Sequence, residues 1–396
     1  MIDKYDFKVS AVIPAYNAEN YIRETVDSLT NQTQPLCEII VIDDKSKDRT
    51  AAIVDEMKEG SKVPIKLINN NNNLGVSSSR NIGMSVAQGD WILFMDADDA
   101  AEPSLLEYEC RRLKELQDKS PDNWVLVYPA YRQIDKNGKF LSHVMRGKQV
   151  DANEIFGYEI VRNQIITPSG LMLNKDIAIQ EGGFKLGLEY QIEDWELWLR
   201  LARIGGFAYI DEPLVRVRRH SSNATKCMNK ALLAEQEVLK NYGIGVIRAG
   251  IYKRKLPQIK NLTDYVSVLF KLDYWDLGYK ELSIINSDGI NDSIMFLKGL
   301  YYIKNVLLDS AQESFENAID LNPENGAAMN NLGVLYALSG KIDEAKFKFN
   351  KAIELYPGYI DALSNLRYLE SEERLTQENC RYTWRELRPV LLHYSE

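Results

Sequence analysis

The last third of the chain contains a repeat of 34 residues, and this repeat restricts the fold more than any other feature of the sequence. Small residues at its fixed positions allow paired helices to approach closely, and a proline ends each second helix. The repeat therefore predicts an all-α array of stacked helix pairs. The first copy has Met295, Gly299, Tyr302, Ala311, Phe315, Ala318 and Pro323, and the second has Met329, Gly333, Tyr336, Ala345, Phe349, Ala352 and Pro357.

This pattern resembles the tetratricopeptide repeat. Leu363 and Leu366 continue it into a third, partial copy, and residues 262–290 are interpreted as a degenerate earlier one. We expect the tail around Trp384 and Leu387 to form a capping helix, because such arrays need caps. Tetratricopeptide arrays usually present a concave surface that binds polypeptide, which predicts a protein partner. Self-association into a homodimer and a purely structural appendage are the alternatives.

The first hundred residues alternate short runs rich in β-branched residues with helical patterns. Strands are predicted at 7–13, 38–42, 64–68 and 90–95, and helices at 21–29, from Asp48 onward and at 75–87. This alternation indicates a mainly parallel sheet with helices on both faces. In such sheets, ligands collect at the carboxyl ends of the strands. Polar clusters follow three of the strands, at residues 14–17, 43–44 and 96–98.

The pattern is mixed from residue 124 to residue 219, and from Ser221 onward it is helical. We predict a strand at 125–131, a hairpin-type turn at 136–138, an amphipathic helix at 194–202 and short strands at 207–210 and 214–219. These patterns divide the chain into an α/β domain at 1–225, a helical linker at 226–260 and a helical repeat domain at 261–396.

Two acidic pairs follow predicted strands. Asp96 and Asp98 are one residue apart, so both can direct oxygens at one hard cation. Mg²⁺ or Mn²⁺ prefers such ligands and would bridge a diphosphate, whereas the alternative is an acidic turn. Of Asp43 and Asp44, one could accept a hydrogen bond from a base or ribose, and the other could cap the next helix. Alternatively, both are helix-start residues.

Three other groups have the chemistry of a functional site. Glu193 and Asp194 fall at a helix N-terminus, where the dipole stabilises a carboxylate, and one of them is a candidate catalytic base. Arg80 is either an exposed surface arginine or a charge partner for a diphosphate. In the basic cluster at 216–220, arginines could bind phosphates. His220 could complete a metal site, although a single histidine is usually structural.

Taken in order, these pieces resemble the family 2 glycosyltransferases of the GT-A fold, which invert the anomeric carbon. The resemblance runs from Val9 to Asn223, over half the chain. It implies a Rossmann-like mixed sheet that binds a nucleotide-diphospho-sugar. The matching segments are VSAVIPAYNAENYI, QTQPLCEIIVIDDKSKDRT, NNNNLGVSSSRNIGMSVAQGDWILFMDADD, GGF, EDWELWLRLAR and RRHSSN.

The resemblance also implies site residues. Asp194 would be the general base that takes the proton from the acceptor, with Glu193 as the alternative. A divalent cation, Mn²⁺ or Mg²⁺, would offset the charge on the departing diphosphate. The implied nucleotide-sugar-binding residues are Pro14, Tyr16, Asn17, Asp43, Arg80 and Asp96, and the implied metal ligands are Asp98, Asp96 and His220.

Charge and composition restrict the class of partner. The net charge of −9 argues against non-specific binding of nucleic acid or anionic membrane, which need a basic surface. The four cysteines include no C-x-x-C pair, which favours free thiols in a reducing compartment. The chain does not start like a signal peptide, and no stretch approaches the ~18 apolar residues of a transmembrane helix. We therefore expect a cytoplasmic protein that could dock on a membrane through a partner.

The sequence thus favours an enzyme that moves a sugar from a nucleotide donor, UDP by family frequency, to a polypeptide recruited by the repeats. Elongation of a lipid-linked or surface polysaccharide glycan is the alternative. An inactive transferase fold that serves as a scaffold is least favoured, because the four aspartates of the implied site are present. The chain lacks the Q-x-x-R-W motif of processive synthases, which favours limited sugar addition.

Overall fold

The computed structural model describes residues 5–119, 123–141, 144–188, 192–219, 228–285, 289–371, 375–385 and 387. Contacts divide the chain into two compact units, Met1–Lys255 and Leu256–Glu396. Within the described ranges, no helix combines the length and the apolar character needed to cross a membrane.

The described part of the first unit contains one eight-stranded mixed sheet in the order β3-β2-β1-β4-β7-β6-β8-β5. Strands β3, β2, β1 and β4 pair in parallel, whereas β7 is antiparallel to both β4 and β6. The predicted parallel arrangement therefore holds for the first four strands of the chain, and the sheet as a whole is mixed. The strands are β1 Val9–Ala15, β2 Glu38–Asp43, β3 Ile65–Asn69, β4 Trp91–Phe94, β5 Ala100–Ala101, β6 Trp124–Ile134, β7 Leu171–Asn174 and β8 Gly206–Arg218.

The central strands are apolar because both of their faces are covered. Val12 in β1, Ile40 in β2 and Leu93 in β4 are fully buried. A strand that is buried on both faces shows a continuous apolar run rather than alternation, and such runs allowed these strands to be predicted. The two short strands predicted at 207–210 and 214–219 form the single strand β8, whose pairing with β6 is irregular between Pro129 and Tyr131.

Nine helices belong to the described part of the first unit. They are α1 Ile22–Thr30, α2 Thr50–Lys58, α3 Val76–Val86, α4 Leu105–Lys119, α5 Ile155–Val161, α6 Lys175–Gln180, α7 Glu193–Leu201, α8 Met228–Lys240 and α9 Ile244–Tyr252. The predicted turn at 136–138 is present, and Gly138 N donates to Asp135 O across it. Strand β7 and helices α5 and α6 were not predicted.

Helices α8 and α9 lie within the first unit, whereas the sequence predicted a helical linker at 226–260. Helix α9 packs on α5 where Gly157 meets Gly250, so closely that a Cβ on Gly157 would collide with the carbonyl of Gly250. Lys255 N also donates to Glu154 Oε2 at 2.8 Å. These contacts join residues about ninety positions apart in sequence, and the local helical pattern carried no sign of them.

The second unit is helical over its described residues. Gly299 and Gly333 occur at equivalent positions of α12 and α14, where a Cβ would lie 2.5 and 2.7 Å from the rings of Phe315 and Phe349. Glycine is therefore required for each helix pair to close, as the repeat predicts. The helices are α10 Gln258–Lys271, α11 Trp275–Ser283, α12 Asp292–Lys304, α13 Leu308–Leu321, α14 Gly326–Leu338, α15 Ile342–Leu355 and α16 Ile360–Glu370.

The predicted capping helix around Trp384 and Leu387 is wrong for the residues that the structure describes. Residues 381–385 are not helical. Tyr382 and Leu387 instead pack on both apolar clusters of the repeat unit. The described residues of the tail, 375–385 and 387, thus cover the repeats with non-helical chain, because α14 and α16 present polar groups that can bond to its backbone.

Candidate active site

The three strand ends singled out by the sequence lie side by side. Strand β1 lies between β2 and β4, and its pairing matches Ala15 with Asp43 and Val12 with Phe94. The polar residues that follow the carboxyl ends of these strands therefore meet at one edge of the sheet, where ligands bind in open α/β folds.

Arg80 joins two parts of this edge. It lies on α3 and is buried, with Nη1 donating to Glu193 Oε1 and Nη2 to Asp96 Oδ1, both at 2.9 Å. Burial opposes its charge, but the carboxylates of Asp96 and Glu193 outweigh burial and raise the pKa of Arg80. Its guanidinium also lies 5.3 Å from the ring centre of Phe184. The residues after β4 and the start of α7 are therefore joined through one fixed cation.

Asp194, next to Glu193 on α7, is buried and its carboxylate is perturbed. Burial, followed by the negative charge of Glu193, raises the pKa of Asp194 to about 8, while the backbone N–H of Trp195 and the charge of Arg80 oppose this rise. Trp195 N donates to Asp194 Oδ1 at 2.5 Å. A carboxyl group whose pKa lies near the working pH is suited to proton transfer.

Glu159 is a second buried carboxylate close to Asp194, and the sequence did not indicate it. Burial raises the pKa of Glu159, and Asp194 adds to this rise. The backbone carbonyl of Glu159 accepts a hydrogen bond of 2.9 Å from Trp195 Nε1, which ties α5 to α7. An isolated glutamate in a helical pattern carries no signal that separates it from a surface glutamate.

The turn after β4 contains Asp96, Asp98 and Asp99, and the side chain of Asp99 holds it in place. Ser169 Oγ donates to Asp99 Oδ2 at 2.5 Å and accepts from Asp96 N at 3.0 Å. Arg218 N donates to Asp99 Oδ1 at 2.7 Å. Burial, with the charges of Asp98 and Asp96, raises the pKa of Asp99. Asp99 therefore fixes the turn. The side chain of Asp96 faces the site and is 32% exposed.

In the basic cluster, Arg216 and Arg218 are paired with other groups of the protein. Arg218 is buried, and its guanidinium donates to Asp98 O at 2.8 Å and to Glu24 Oε2 at 2.5 Å. Arg216 also pairs with Glu24, at 3.2 Å. Their pairing therefore does not support the prediction that these arginines bind phosphates. Arg218 instead stabilises the acidic turn through its bond to the carbonyl of Asp98. His220, the predicted metal ligand, lies outside the described residues.

A second group of polar residues lies at the ends of β1 and β2. Asp43 is buried; its Oδ2 accepts from Ser46 N at 3.1 Å, and its Oδ1 has no hydrogen-bond partner. Asn17 adopts a left-handed backbone, with φ of 51°, and binds Ser46 and Lys47. Tyr16 projects outward with 47% of its surface exposed.

Asp44 does not cap the following helix. Its two oxygens accept from Leu74 N and Gly75 N, each at 2.8 Å, so it fixes the turn that precedes α3. Asp48 bonds the start of α2 instead, through Thr50 N at 3.0 Å. Asp44 thereby positions the helix that carries Arg80.

Asp96 and Asp98 are the described residues that could hold a divalent cation. Among the residues that the structure describes, no three His, Cys, Asp or Glu side chains form a complete metal-binding group. A pair of carboxylates fits Mg²⁺ nevertheless, because this ion usually takes one or two protein carboxylates and completes its shell with water and substrate phosphates.

The structure brings together Arg80, Asp96, Glu193 and Asp194 in one cluster, and Asp43 and Asn17 in a neighbouring one. Asn81, one residue after Arg80, was not singled out from the sequence. Its amide donates to Phe184 O at 2.7 Å and accepts from Phe184 N at 2.9 Å. The GGF segment offered a signal here, since Gly183 has a φ of 65° and leaves no room for a side chain beside Asn81.

Comparisons with known proteins agree with this organisation. The family model for Glycosyl transferase family 2 matches residues 10–166, and two tetratricopeptide repeat models match residues 292–325 and 326–359. An uncharacterized glycosyltransferase of Haemophilus influenzae is 30% identical over 232 residues, which cover 56% of this chain and 68% of the relative. One of Rickettsia typhi is 28% identical over 283 residues, which cover 70% of this chain and 84% of the relative.

A solved structure shares the fold. S. aureus TarS, crystallised in complex with UDP-GlcNAc, superposes with a TM-score of 0.50 at 16% sequence identity, and the match covers 92% of each chain. At this identity the likeness concerns the fold alone.

Proposed function

Because this chain belongs to glycosyl transferase family 2, we propose that it transfers a sugar from a UDP-sugar to a polypeptide, with inversion at the anomeric carbon and with the help of a divalent cation. The observation that carries the proposal is the Arg80 bridge. It joins Asp96, in the acidic turn, to Glu193, at the start of α7, with both contacts at 2.9 Å. A donor-side group and a candidate base are thereby held in one place.

Asp194 is the better candidate for the base. The carboxylate of Glu193 is already engaged by Arg80, whose Nη1 donates to Glu193 Oε1 at 2.9 Å. Asp194 has a pKa raised to about 8, mainly by burial. In the proposed step, its carboxylate takes the proton of the acceptor group while the acceptor forms a bond to the anomeric carbon. The bond from that carbon to the diphosphate breaks on the opposite face, and UDP leaves with the electron pair.

The nucleotide would lie at the ends of β1 and β2. The buried, unpaired Oδ1 of Asp43 can accept a hydrogen bond from the base, and a buried acceptor without a partner is costly until it is paired. The exposed ring of Tyr16 offers a face for stacking, with Pro14 and Asn17 beside it. UDP is proposed because the TarS structure that shares this fold was solved with UDP-GlcNAc.

The cation would be Mn²⁺ or Mg²⁺ held by Asp98 and Asp96. When bound, it would supply positive charge to the departing diphosphate. Arg80 holds Asp96 in place through its 2.9 Å bond, and Ser169 Oγ accepts from the backbone of the same residue. Phosphate oxygens and water would supply the remaining ligands of the cation. His220 stays a predicted ligand.

A polypeptide acceptor is proposed because of the repeat unit. Asn331 of the second tetratricopeptide repeat and Asn365 of the helix that follows it bind main-chain groups of the tail. Recognition of the main chain is suited to polypeptide and not to a glycan or lipid. The proposed role of the repeats is therefore to bring a protein to the transferase unit.

The test is incubation of the protein with radiolabelled UDP-sugars, Mn²⁺ and a cell extract, followed by separation of protein from lipid. We expect label in the protein fraction, lost in Asp98→Asn and kept in Asp118→Asn, a matched change at an exposed acidic residue of α4. Label confined to the lipid fraction would reject the polypeptide acceptor and favour glycan elongation. If Asp98→Asn kept full activity in the presence of a chelator, the proposed role of the metal would be rejected.

A further inference from the structure

Three buried asparagines on α14 and α16 hold the protein's own tail, and we call Asn330, Asn331 and Asn365 the asparagine face. Asn331 donates to Thr383 O at 2.9 Å and accepts from Thr383 N at 2.7 Å. Asn365 makes the same pair of bonds to Arg381, at 2.9 and 2.8 Å. Each amide therefore satisfies both main-chain groups of one tail residue, as a neighbouring β-strand would.

The spacing of the repeats matches the spacing of an extended chain. Asn331 and Asn365 lie 34 residues apart, at the same position of consecutive repeats. The tail residues that they bind, Thr383 and Arg381, are two apart, and alternate residues of an extended chain face the same side. Asn330 links the two, since it donates to Arg381 O at 2.9 Å and accepts from Asn365 at 3.0 Å.

The repeat itself does not require an asparagine at this position. The equivalent position of the preceding repeat holds Leu297, an apolar residue of the core. Asn331 and Asn365 are completely buried, and a buried amide without hydrogen-bond partners is destabilising. Two such residues at repeating positions therefore indicate a surface that requires a main-chain ligand.

The side chains of the tail show which ligand the groove accepts. Thr383 Oγ1 donates to Asp361 Oδ2 at 2.9 Å and also bonds the hydroxyl of Tyr359. Burial raises the pKa of Asp361, and Thr383 together with the positive charges of Arg381 and Arg385 opposes this rise. The site therefore favours a hydroxyl residue with arginines on either side.

Trp384 is bound less tightly than the backbone beside it. Its ring meets Trp275 edge-on with 5.9 Å between centres, and 48% of its surface stays exposed. The main-chain bonds of the tail can be reproduced by another polypeptide, and the side chain of Trp384 is only partly covered.

We propose that residues 381–385 of this chain occupy the asparagine face in competition with an extended segment of a partner protein that has the same pattern, Arg-Tyr-Thr-Trp-Arg. The tail belongs to the same chain and therefore competes with a free partner segment at a high effective concentration. The proposal concerns binding alone, so its test uses no sugar nucleotide and can fail or succeed independently of the transferase proposal.

The test is a titration of a fluorescein-labelled peptide, residues 377–387 with Cys380→Ser, into the full-length protein. The tail-release variant is Thr383→Pro, because proline has no N–H to donate to Asn331. We expect this variant to bind the peptide at least about tenfold more tightly than the wild type, because the tethered tail no longer competes. Gln377→Ala, an exposed position of the same tail, is the matched control and should behave like the wild type.

Two further samples test the geometry. A peptide N-methylated at Thr383 lacks the same N–H and should bind the tail-release variant at least about tenfold more weakly. Adding Asn331→Leu to that variant should weaken binding similarly, whereas adding Asn305→Ala, an exposed asparagine of the repeat unit, should not. Equal affinity for wild type and tail-release variant would overturn the proposal, as would binding that N-methylation leaves unchanged.

Amide hydrogen exchange on the unmodified protein keeps the proposal testable if Asn331→Leu does not fold. The N–H groups of Arg381 and Thr383 are both donors to buried asparagines and should exchange slowly. Unlabelled peptide at saturating concentration should speed their exchange by displacing the tail. Fast exchange without peptide would show that the tail does not occupy the asparagine face.

Discussion

In the proposed active site, one buried cation is shared by two carboxylates. Arg80 has lost its contact with water, and an unpaired buried charge would be very costly. Its planar guanidinium offers separate donors to Glu193 and Asp96, which a lysine cannot do with equal geometry. The pairing therefore both permits the burial and fixes two side chains of the site.

Arg80→Lys tests this bridge. Loss of one charged hydrogen bond is worth about 1.5–3 kcal/mol, so we expect kcat/KM for sugar transfer to fall roughly 10- to 100-fold. Steady-state kinetics would measure the change. Arg23→Lys, an exposed arginine paired with Glu56, is the matched control and should keep normal rates. Unchanged kinetics in Arg80→Lys would show that the bridge is not needed.

The pKa of Asp194 predicts a pH dependence. A general base works when deprotonated, and the pKa of Asp194 is raised to about 8. Below that pH, kcat/KM should therefore rise about tenfold per pH unit and then level off near pH 8. A pH–rate profile would measure this, and Asp194→Asn should abolish transfer at every pH. A profile that stays flat between pH 5 and 8 would contradict the assignment.

The same pKa links Asp194 to stability. Folding raises it from its ordinary value of 3.8 to about 8, so the folded protein holds a proton that the unfolded chain releases. The stabilising contribution is complete below pH 3.8 and is lost as pH rises through 8. Asp194→Asn removes this loss, and its Tm relative to the wild type should be higher at pH 8 than at pH 5. A Tm difference that does not change with pH would contradict the burial of the carboxyl group.

At the scale of elements, the helix pairs of the repeat depend on glycines facing aromatic rings. A Cβ on Gly333 would lie 2.7 Å from the ring of Phe349, too close for the helices to keep their separation. Overpacking of this kind typically costs about 1–3 kcal/mol.

Gly333→Ala should therefore lower the free energy of unfolding of the repeat unit by about 1–3 kcal/mol, measured by denaturant titration. Gly245→Ala is the matched control, since that helical glycine of α9 has open space around it. Alanine there should stabilise the helix by up to about 1 kcal/mol, because it is the better helix former. The opposite ranking of the two variants would be inconsistent with the observed packing.

The whole molecule consists of two compact units. The described apolar clusters of the repeats contain only residues from 259 onward, so the second unit has a core of its own. Units with their own cores can respond separately to ligands.

Calorimetry should therefore resolve an effect of UDP and Mn²⁺ on one unit. A ligand that binds only the folded state at about 100 times its Kd stabilises by about 2.7 kcal/mol. We expect UDP with Mn²⁺ to shift the transition of the first unit, and the tail-derived peptide to shift that of the second unit in Thr383→Pro. A shift by UDP that is equal with and without Mn²⁺ would contradict the proposed metal.

The sequence by itself determined the parts that repeat or that are apolar without interruption. The central strands are continuous apolar runs because both faces are covered, and the 34-residue period repeats because each helix pair makes the same contact. The polar residues at three strand ends could be assigned to one edge because parallel strands end on the same side.

Only the tertiary structure decided which polar side chains pair. The sequence singled out Asp44 but not its partners Leu74 and Gly75, because hydrogen bonds leave no period in a sequence. It did not indicate Glu159 or Ser169. The tail around Trp384 has a composition compatible with a helix, yet it is not helical there because buried asparagines satisfy its main chain. Local propensity is weak beside such contacts, so folding fixed the bridge at Arg80 and the occupant of the asparagine face.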